Sequence, residues 1–429
     1  MPLILIVIVL AVLVIFGAPL FSVVGAISLI GFSFQEIDTS AIIIELYRLA
    51  SQPVLLAIPL FAVAGYMLAE SNAPKRLVAL AQALIGWMPG GLAIVVLISC
   101  AIFTAFTGGS GITIIALGGL VFPILIAEKY SEKFALGLVT TSGSLGLLFP
   151  PSLPIILYGT FAEVSIDELF KAGIIPGILL VLVLAVYSIQ QGFSLHIERQ
   201  PFDLRRVWRA LRAVAWEIPL PVFVIGGIYG GYFTATEAAA VTAFYVFIVE
   251  VVIYKDLKLT TDVPRIMIES MVLVGAILMI LATAMGLTSY LIDQQIPQQL
   301  FELIRQYVES KVVFLMLLNV FLLVIGMMME IFSAIVVVPL IVPIAKQYGI
   351  DPVHLGIIFL ANLEIAYLMP PVGMNLFMSS FRFKKSIGRV ALATLPFILV
   401  LMIALVIITY VPELSLWLVN ISRASAVTP

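Results

Sequence analysis

Leu77 to Ala127 is a run of 51 residues without a single Asp, Glu, Lys or Arg. A membrane-spanning helix consumes about 20 apolar residues, so the run is too long for one crossing. Thr107-Gly-Gly-Ser-Gly111 interrupts its middle. That break predicts two helices meeting at a tip inside the bilayer, a re-entrant hairpin. Non-helical backbone at such depth is tolerated only within protein or beside a water-filled cavity. Broken elements of this kind hold ions and substrates in secondary transporters.

The rest of the chain agrees. It is 62% hydrophobic and 11% charged, with a mean hydropathy of +1.21. A soluble core of 429 residues does not have this composition. The expected fold class is an all-α polytopic membrane protein. Solid apolar runs, rather than alternation, exclude a β-barrel. No basic stripe offers itself to nucleic acid, and no P-loop binds a nucleotide. The lone Cys100 lies in an apolar run and reads as a small buried residue. His196 and His354 fall in polar segments near helix ends and read as surface residues; they have no Cys or second His beside them to make a metal site. Met1 to Gln35 lacks the positive start of a signal peptide and reads as two spans divided at Gly17-Ala-Pro19.

Spans are expected at 2–16, 19–34, 52–69, 134–160, 172–193, 216–233, 236–254, 268–292, 353–380 and 390–411. Re-entrant hairpins are expected at 90–127 and 312–345, and a short interfacial helix at 41–49. Two basic loops, Arg199 to Arg212 and Arg382 to Arg389, belong in the cytoplasm by the positive-inside rule. Counting spans from them, the first hairpin enters from the cytoplasm and the second from the opposite side. Both chain ends then lie outside.

Sliding the chain by 220 residues reveals an internal repeat. Pro150-Pro151 falls on Pro370-Pro371, Pro123 on Pro343, Leu148 on Leu368 and Thr113 on Ser333. A hairpin and the broken span after it occur twice, in opposite orientations. An inverted repeat of broken helices is an architecture of alternating-access carriers.

The chemistry concentrates in these elements. The first tip, Phe106 to Thr113, precedes the break Ser142-Gly-Ser-Leu-Gly-Leu-Leu-Phe-Pro-Pro-Ser152. Glycine lets the chain leave the helix, and proline frees an upstream carbonyl. Such carbonyls, with Thr and Ser hydroxyls, make an oxygen cage for a hard cation. Gly118 and Gly119 read instead as helix-packing residues. The second tip, Gly326-Met-Met-Met-Glu-Ile-Phe-Ser333, precedes the break Asn362 to Asn375. Glu330 and Glu364 fall within the membrane's thickness, where an ionisable group is costly and functional by default. With Asn362 they are candidates for an ion path or for support of the fold. Glu237, following Thr234, reads as a helix cap. No Lys or Arg falls near the bilayer centre, so an anionic solute must be held by hydrogen bonds, helix N-termini or a bound cation. The lack of an intramembrane His favours sodium over a proton relay.

These segments resemble the large membrane subunit of the TRAP (tripartite ATP-independent periplasmic) transporters, the DctM-like family. The resemblance spans nearly the whole chain. It rests on Thr104-Ala-Phe-Thr-Gly-Gly-Ser-Gly111, Leu145 to Gly159, Phe170 to Gly177, Gly227 to Ala240, Gly349 to Gly356 and Asn362 to Phe377. It implies an elevator-type carrier in a bacterial inner membrane, embedded in the lipid bilayer. A small four-helix membrane subunit would pack beside it, and a periplasmic solute-binding protein would deliver an organic acid. A sodium gradient would drive uptake, with no cofactor beyond the coupling ions.

The resemblance implies two sodium sites, one at Thr107, Gly108, Ser144 and Gly146, the other at Gly326, Ala366, Met369 and Val372. Ala366 and Met369 stand where relatives often carry Gly and Thr; a methionine offers no hydroxyl, so the second site must rely on its carbonyl oxygen or on other neighbours. Solute is expected near Ser110, Thr113, Ser333 and Asn375. The expected organisation is scaffold 1–52, first transport repeat 53–171, scaffold and loop 172–266, second transport repeat 267–389 and a C-terminal span with tail 390–429. No four-helix segment precedes residue 1, so the small subunit is expected as a separate chain. Competing readings are a self-sufficient sodium–carboxylate symporter and an intramembrane enzyme using Glu330 and Glu364. The enzyme reading lacks a metal-ligand cluster or nucleophile to complete it.

Overall fold

The computed structural model describes residues 18–427 apart from 36, 37, 39, 41, 42, 45, 46, 49, 50, 89, 195–201 and 331–333. The expected span 2–16, most of the interfacial helix 41–49, His196 and Ser333 lie outside the described residues. Among those described the structure is helical, with no strand.

Helices α1 (Leu20–Phe34) and α2 (Pro53–Glu70) come first. Helix α3 (Ala73–Ile85) leads into α4 (Gly91–Thr107) and α5 (Ser110–Ala127), the two arms of the first hairpin. Helices α6 (Glu132–Ser142) and α7 (Leu153–Ala162) are the halves of a broken span, followed by α8 (Ile166–Ser194). Helices α9 (Leu204–Ala213), α10 (Pro219–Tyr229) and α11 (Ala235–Ile253) separate the repeats. The second repeat runs α12 (Asp262–Asp293), α13 (Ile296–Arg305), α14 (Lys311–Met328), α15 (Ile335–Gln347), α16 (Pro352–Ala366), α17 (Met374–Phe383) and α18 (Ile387–Tyr410). Helix α19 (Glu413–Val427) ends the described chain. Seven of the described helices are long and apolar enough to cross a membrane.

Helices α2 to α8 recur in order as α12 to α18. Even the prolines inside α8 and α18, Pro176 and Pro396, are equivalent. Packing is reciprocal, with α6 against α18, α16 against α8, and α2 against its own counterpart α12. The copies are inverted. At one face Arg423 bridges Glu168, at the start of α8, and Asp351, before α16, at 2.7 and 3.3 Å. At that same face His354, in the first turn of α16, lies 3.3 Å from the Thr409 carbonyl at the end of α18. The start of α8 thus shares a face with the end of α18. At the other face Lys385, just before α18, pairs with Glu132 at 2.5 Å.

Local chemistry starts these helices where the chain needs them. The Ser131 and Asp351 side chains accept backbone N–H groups at the starts of α6 and α16. Thr234 and Glu237 form a reciprocal capping box on α11, the structural role expected of Glu237.

Three expectations need correction. His354 is buried, 2% exposed, with Nδ1 3.2 Å from Ser415 Oγ. Its polar neighbours in sequence indicate a surface, but α18 and α19 fold over it. Part of the basic loop Arg199 to Arg212 is the helix α9, because Val207 and Ala210 on one side bury against Ala83 of α3. Helices α3, α13 and α19 fall outside the expected spans. Helices α13 and α19 mix polar with apolar residues, and α3 carries Lys75 and Arg76 in its first turn and runs on into the uncharged stretch from Leu77 without a charge to mark its end.

Candidate functional site

The two breaks cross near the middle of the molecule. Gly108 turns the first tip with φ +65°, and its N–H bonds Thr104 O at 2.8 Å. Behind the tip, a Cβ on Gly146 would stand 2.3 Å from Ala101 O and 2.5 Å from Ala105 N. Only glycine lets the break lie so close to α4. Thr104, buried within α4, ties the two together: its hydroxyl lies 2.9 Å from Gly143 O and 2.7 Å from Thr113 Oγ1. The second tip repeats the arrangement. A Cβ on Gly326 would meet the Ala366 Cβ at 2.7 Å. The Gly373 N–H reaches Met327 O at 3.1 Å.

Ser144 and Glu364 are equivalent positions of the two repeats, and they touch. Ser144 Oγ donates to Glu364 O at 3.3 Å across 220 residues. A contact between equivalents places the axis relating the halves at this point. Asn375, the second residue of α17, adds Nδ2 donations to Thr140 O at 3.2 Å and Ser144 Oγ at 3.4 Å. Thr140 Oγ1 donates in turn to Ser379 Oγ at 2.8 Å. Met378, one residue earlier, lies against Gly111 of the first tip. Both breaks, the first tip and α17 therefore surround one buried polar centre.

Several acceptors there have no partner. Asn375 Oδ1 and both Glu364 carboxylate oxygens are buried without a hydrogen bond, as are Thr107 Oγ1 at the end of α4, Thr141 Oγ1 of α6 and Asn362 Oδ1 of α16. The Leu148 and Leu147 amides approach Glu364 from the first break, but neither closes a bond of ordinary geometry. Hydroxyl, amide and carbonyl oxygens without thiolate or imidazole are the donor set of a hard cation. No group of three or more His, Cys, Asp or Glu side chains among the described residues could hold a metal ion.

Of the residues read from sequence, Gly108 bonds Thr104 at the first tip, Gly146 of the first break packs against that same Thr104, and Ser144 faces Glu364 and Asn375; Thr107 is buried at the end of α4. Gly326, Ala366 and Met369 meet at the second tip and break, where Met369 O and Tyr367 O crowd Gly373. Val372 is 43% exposed at the same turn. Ser110 and Asn375 are buried within the centre. The Thr113 hydroxyl is taken up by Thr104. Glu330 is half-buried at the second tip. Asn362 points along a separate chain: its Nδ2 donates to Asn319 Oδ1 at 2.7 Å, and Asn319 Nδ2 to Thr409 Oγ1 at 3.0 Å.

Sequence reasoning missed Thr104, Thr140 and Asn319. Thr104 stands three residues before Thr107, on nearly the same helix face, and that spacing was the available signal. It also missed Arg76 of α3. This guanidinium contacts Glu217 at 2.5 Å, Asp256 at 2.6 Å and Glu250 at 3.1 Å, and lies 3.9 Å over the Tyr254 ring. One cation cannot offset three ionised carboxylates. Burial pushes Glu217, in the turn before α10, up to about 7 despite Arg76. Asp256, bonded by Asn72 and Arg76, is held below its ordinary value even though burial opposes this.

Residues 7–414 match the family model for the tripartite ATP-independent periplasmic transporter, DctM component. The chain is 36% identical over 398 residues to the C4-dicarboxylate TRAP transporter large permease protein DctM of Pseudomonas aeruginosa, covering 92% of each. It is 31% identical over 415 residues to the ectoine TRAP transporter large permease protein TeaC of Halomonas elongata, covering 95% of this chain and 96% of that one. The fold is similar to the crystal structure of the Alcanivorax borkumensis YdaH transporter, at a TM-score of 0.60 and 14% identity, over 89% of this chain and 88% of that one.

Proposed function

The chain belongs to the DctM component family of tripartite ATP-independent periplasmic transporters, and we propose that it moves an organic acid inward by a sodium-driven elevator mechanism. As the large permease of such a transporter it is a multi-pass membrane protein and not an enzyme. Its partners are a small membrane subunit and a periplasmic binding protein. We place it in the bacterial inner membrane, between a periplasm that holds the binding protein and the cytoplasm.

The observation that carries the sodium reading is the crossing of the two breaks. Unpaired buried acceptors cost about 1–3 kcal/mol each, and a cation among Thr107, Thr141, Ser144 and Asn375 would remove that cost. The unwound segments supply carbonyls at the same depth. The second ion would sit among the carbonyls of Gly326, Ala366, Met369 and Val372. Solute would lie between the tips, beside Ser110 and Asn375, with the starts of α5 and α17 offering N–H groups to its carboxylate.

The elevator reading draws support from a cleft of about 230 Å³ beside the first hairpin. Ile102, Phe106 and Phe149 line one side, and Ile178, Val181 and Pro221 of α8 and α10 the other. An apolar boundary can slide without breaking hydrogen bonds.

The deciding experiment is uptake into proteoliposomes containing this chain and its small partner, with an inward sodium gradient and binding protein loaded with labelled organic acid. Uptake that needs both supports the reading. Uptake with sodium alone would make the chain a self-sufficient symporter. Uptake indifferent to sodium would remove the ion sites.

A further inference from the structure

We propose that the cytoplasmic ends of α6 and α18 form a binding site for the phosphate of an anionic phospholipid, which staples the two repeats together. The site is a cleft of about 420 Å³ lined by Glu132, Lys133, Leu136, Arg389 and Leu392. Glu132 is already neutralised by Lys385 at 2.5 Å, whose hydrogen bond holds the carboxyl below its ordinary range. Lys133 and Arg389 make no salt bridge within 4 Å among the described residues, although Arg389 also acts on Glu132 through space. Three cations, Lys133, Lys385 and Arg389, thus surround the single carboxylate Glu132, and the cleft carries an excess of positive charge.

Three features select a lipid over a soluble anion. The floor of the cleft is apolar, made by Leu136 and Leu392. From Leu392 an exposed apolar stripe continues along α18 through Leu395, Leu399 and Ile403, which are 64%, 50%, 62% and 62% exposed in that order. These positions share one helix face and make a track for an acyl chain. The cleft also adjoins the basic loop Arg382 to Arg389, which the positive-inside rule puts at the cytoplasmic headgroup level. A phosphate at the top and a chain along α18 would satisfy both halves of the site. Helices α6 and α18 come from opposite repeats, and at this face the Lys385–Glu132 pair joins them directly. A phosphate held by Lys133 and Arg389 adds a second bridge.

The test uses the full chain with its small partner in nanodiscs, carrying a bimane label at Leu395→Cys. Cys100 is 1% exposed and leaves the label site-specific. Quenching is compared between phosphatidylcholine discs doped with brominated phosphatidylglycerol and discs doped equally with brominated phosphatidylcholine. The expected result is a local phosphatidylglycerol enrichment on the order of tenfold. It should vanish in Lys133→Gln/Arg389→Gln and persist in Lys133→Arg/Arg389→Lys, which keeps the charges. Equal quenching by the two lipids, or a preference that survives the glutamine variant, overturns the proposal. So does loss of the preference on adding inorganic phosphate, which would reassign the cleft to a soluble anion, or exclusion of both lipids by the small subunit.

Discussion

Ser144 and Asn375 hold the centre with modest bonds, at 3.3 and 3.4 Å, to groups whose alternative is an unpaired buried acceptor. Replacing either by alanine should cost about 1–3 kcal/mol of local stability. We expect Ser144→Ala to raise the sodium concentration for half-maximal uptake roughly tenfold, a shift of about 1.4 kcal/mol. Asn375→Ala and Ser110→Ala should lower uptake at normal expression, since both sit where solute is expected. Unchanged kinetics in all three would take these side chains out of the mechanism.

Glu217 couples the stability of the fold to pH. Its value in the folded chain, about 7, lies above its ordinary 4.5. The neutral form is therefore the one folding favours. This group's contribution is complete below about pH 4.5 and is lost as pH rises through 7. Thermal stability of the purified chain should fall between pH 5.5 and pH 8 on the order of one degree or more from this group. Glu217→Gln should flatten that segment of the profile; an unaltered profile would show that Arg76 keeps the carboxylate ionised.

Each break depends on a glycine that lets it approach the helix behind it. Gly146 meets the backbone of α4, and backbone atoms cannot swing aside as a side chain can. Gly146→Ala should destabilise by about 1–3 kcal/mol through overpacking, seen as a lower melting midpoint in size-exclusion fluorescence. The contrast is Gly349, whose φ is +69° but whose missing Cβ would face open space. Alanine there should cost only about 1 kcal/mol of backbone strain and leave uptake intact. The same logic explains which elements were legible in sequence. Periodicity and glycine–proline punctuation located both hairpins and both broken spans. Helices α9, α13 and α19 were not visible as apolar runs because each buries only one narrow face, and α3 merged into the uncharged run that also holds the first hairpin. Val207 and Ala210 of α9 have meaning only beside Ala83.

For the molecule as a whole, the inverted repeat supplies two similar halves, and alternating access asks whether one body slides past another. A cysteine pair across the apolar cleft, Ile102→Cys with Ile178→Cys, should cross-link, since both positions line it. Cross-linking should abolish uptake and reduction should restore it, with buried Cys100 contributing no background. Full uptake by the cross-linked protein would rule out sliding at this boundary.

What the sequence by itself determined was membrane class, the 220-residue repeat, the two tips and their breaks. Those are local properties: run length, charge exclusion, and the glycine and proline positions that force backbone out of a helix. Tertiary structure decided which side chains meet. Ser144 finds Glu364 because two inverted copies cross at their own axis. His354 is buried because α18 and α19 return over it, and Arg76 gathers three carboxylates from segments more than 100 residues away. Such contacts depend on helix rotation and depth. Those are set by packing against partners distant in the chain, and no local pattern of residues encodes them.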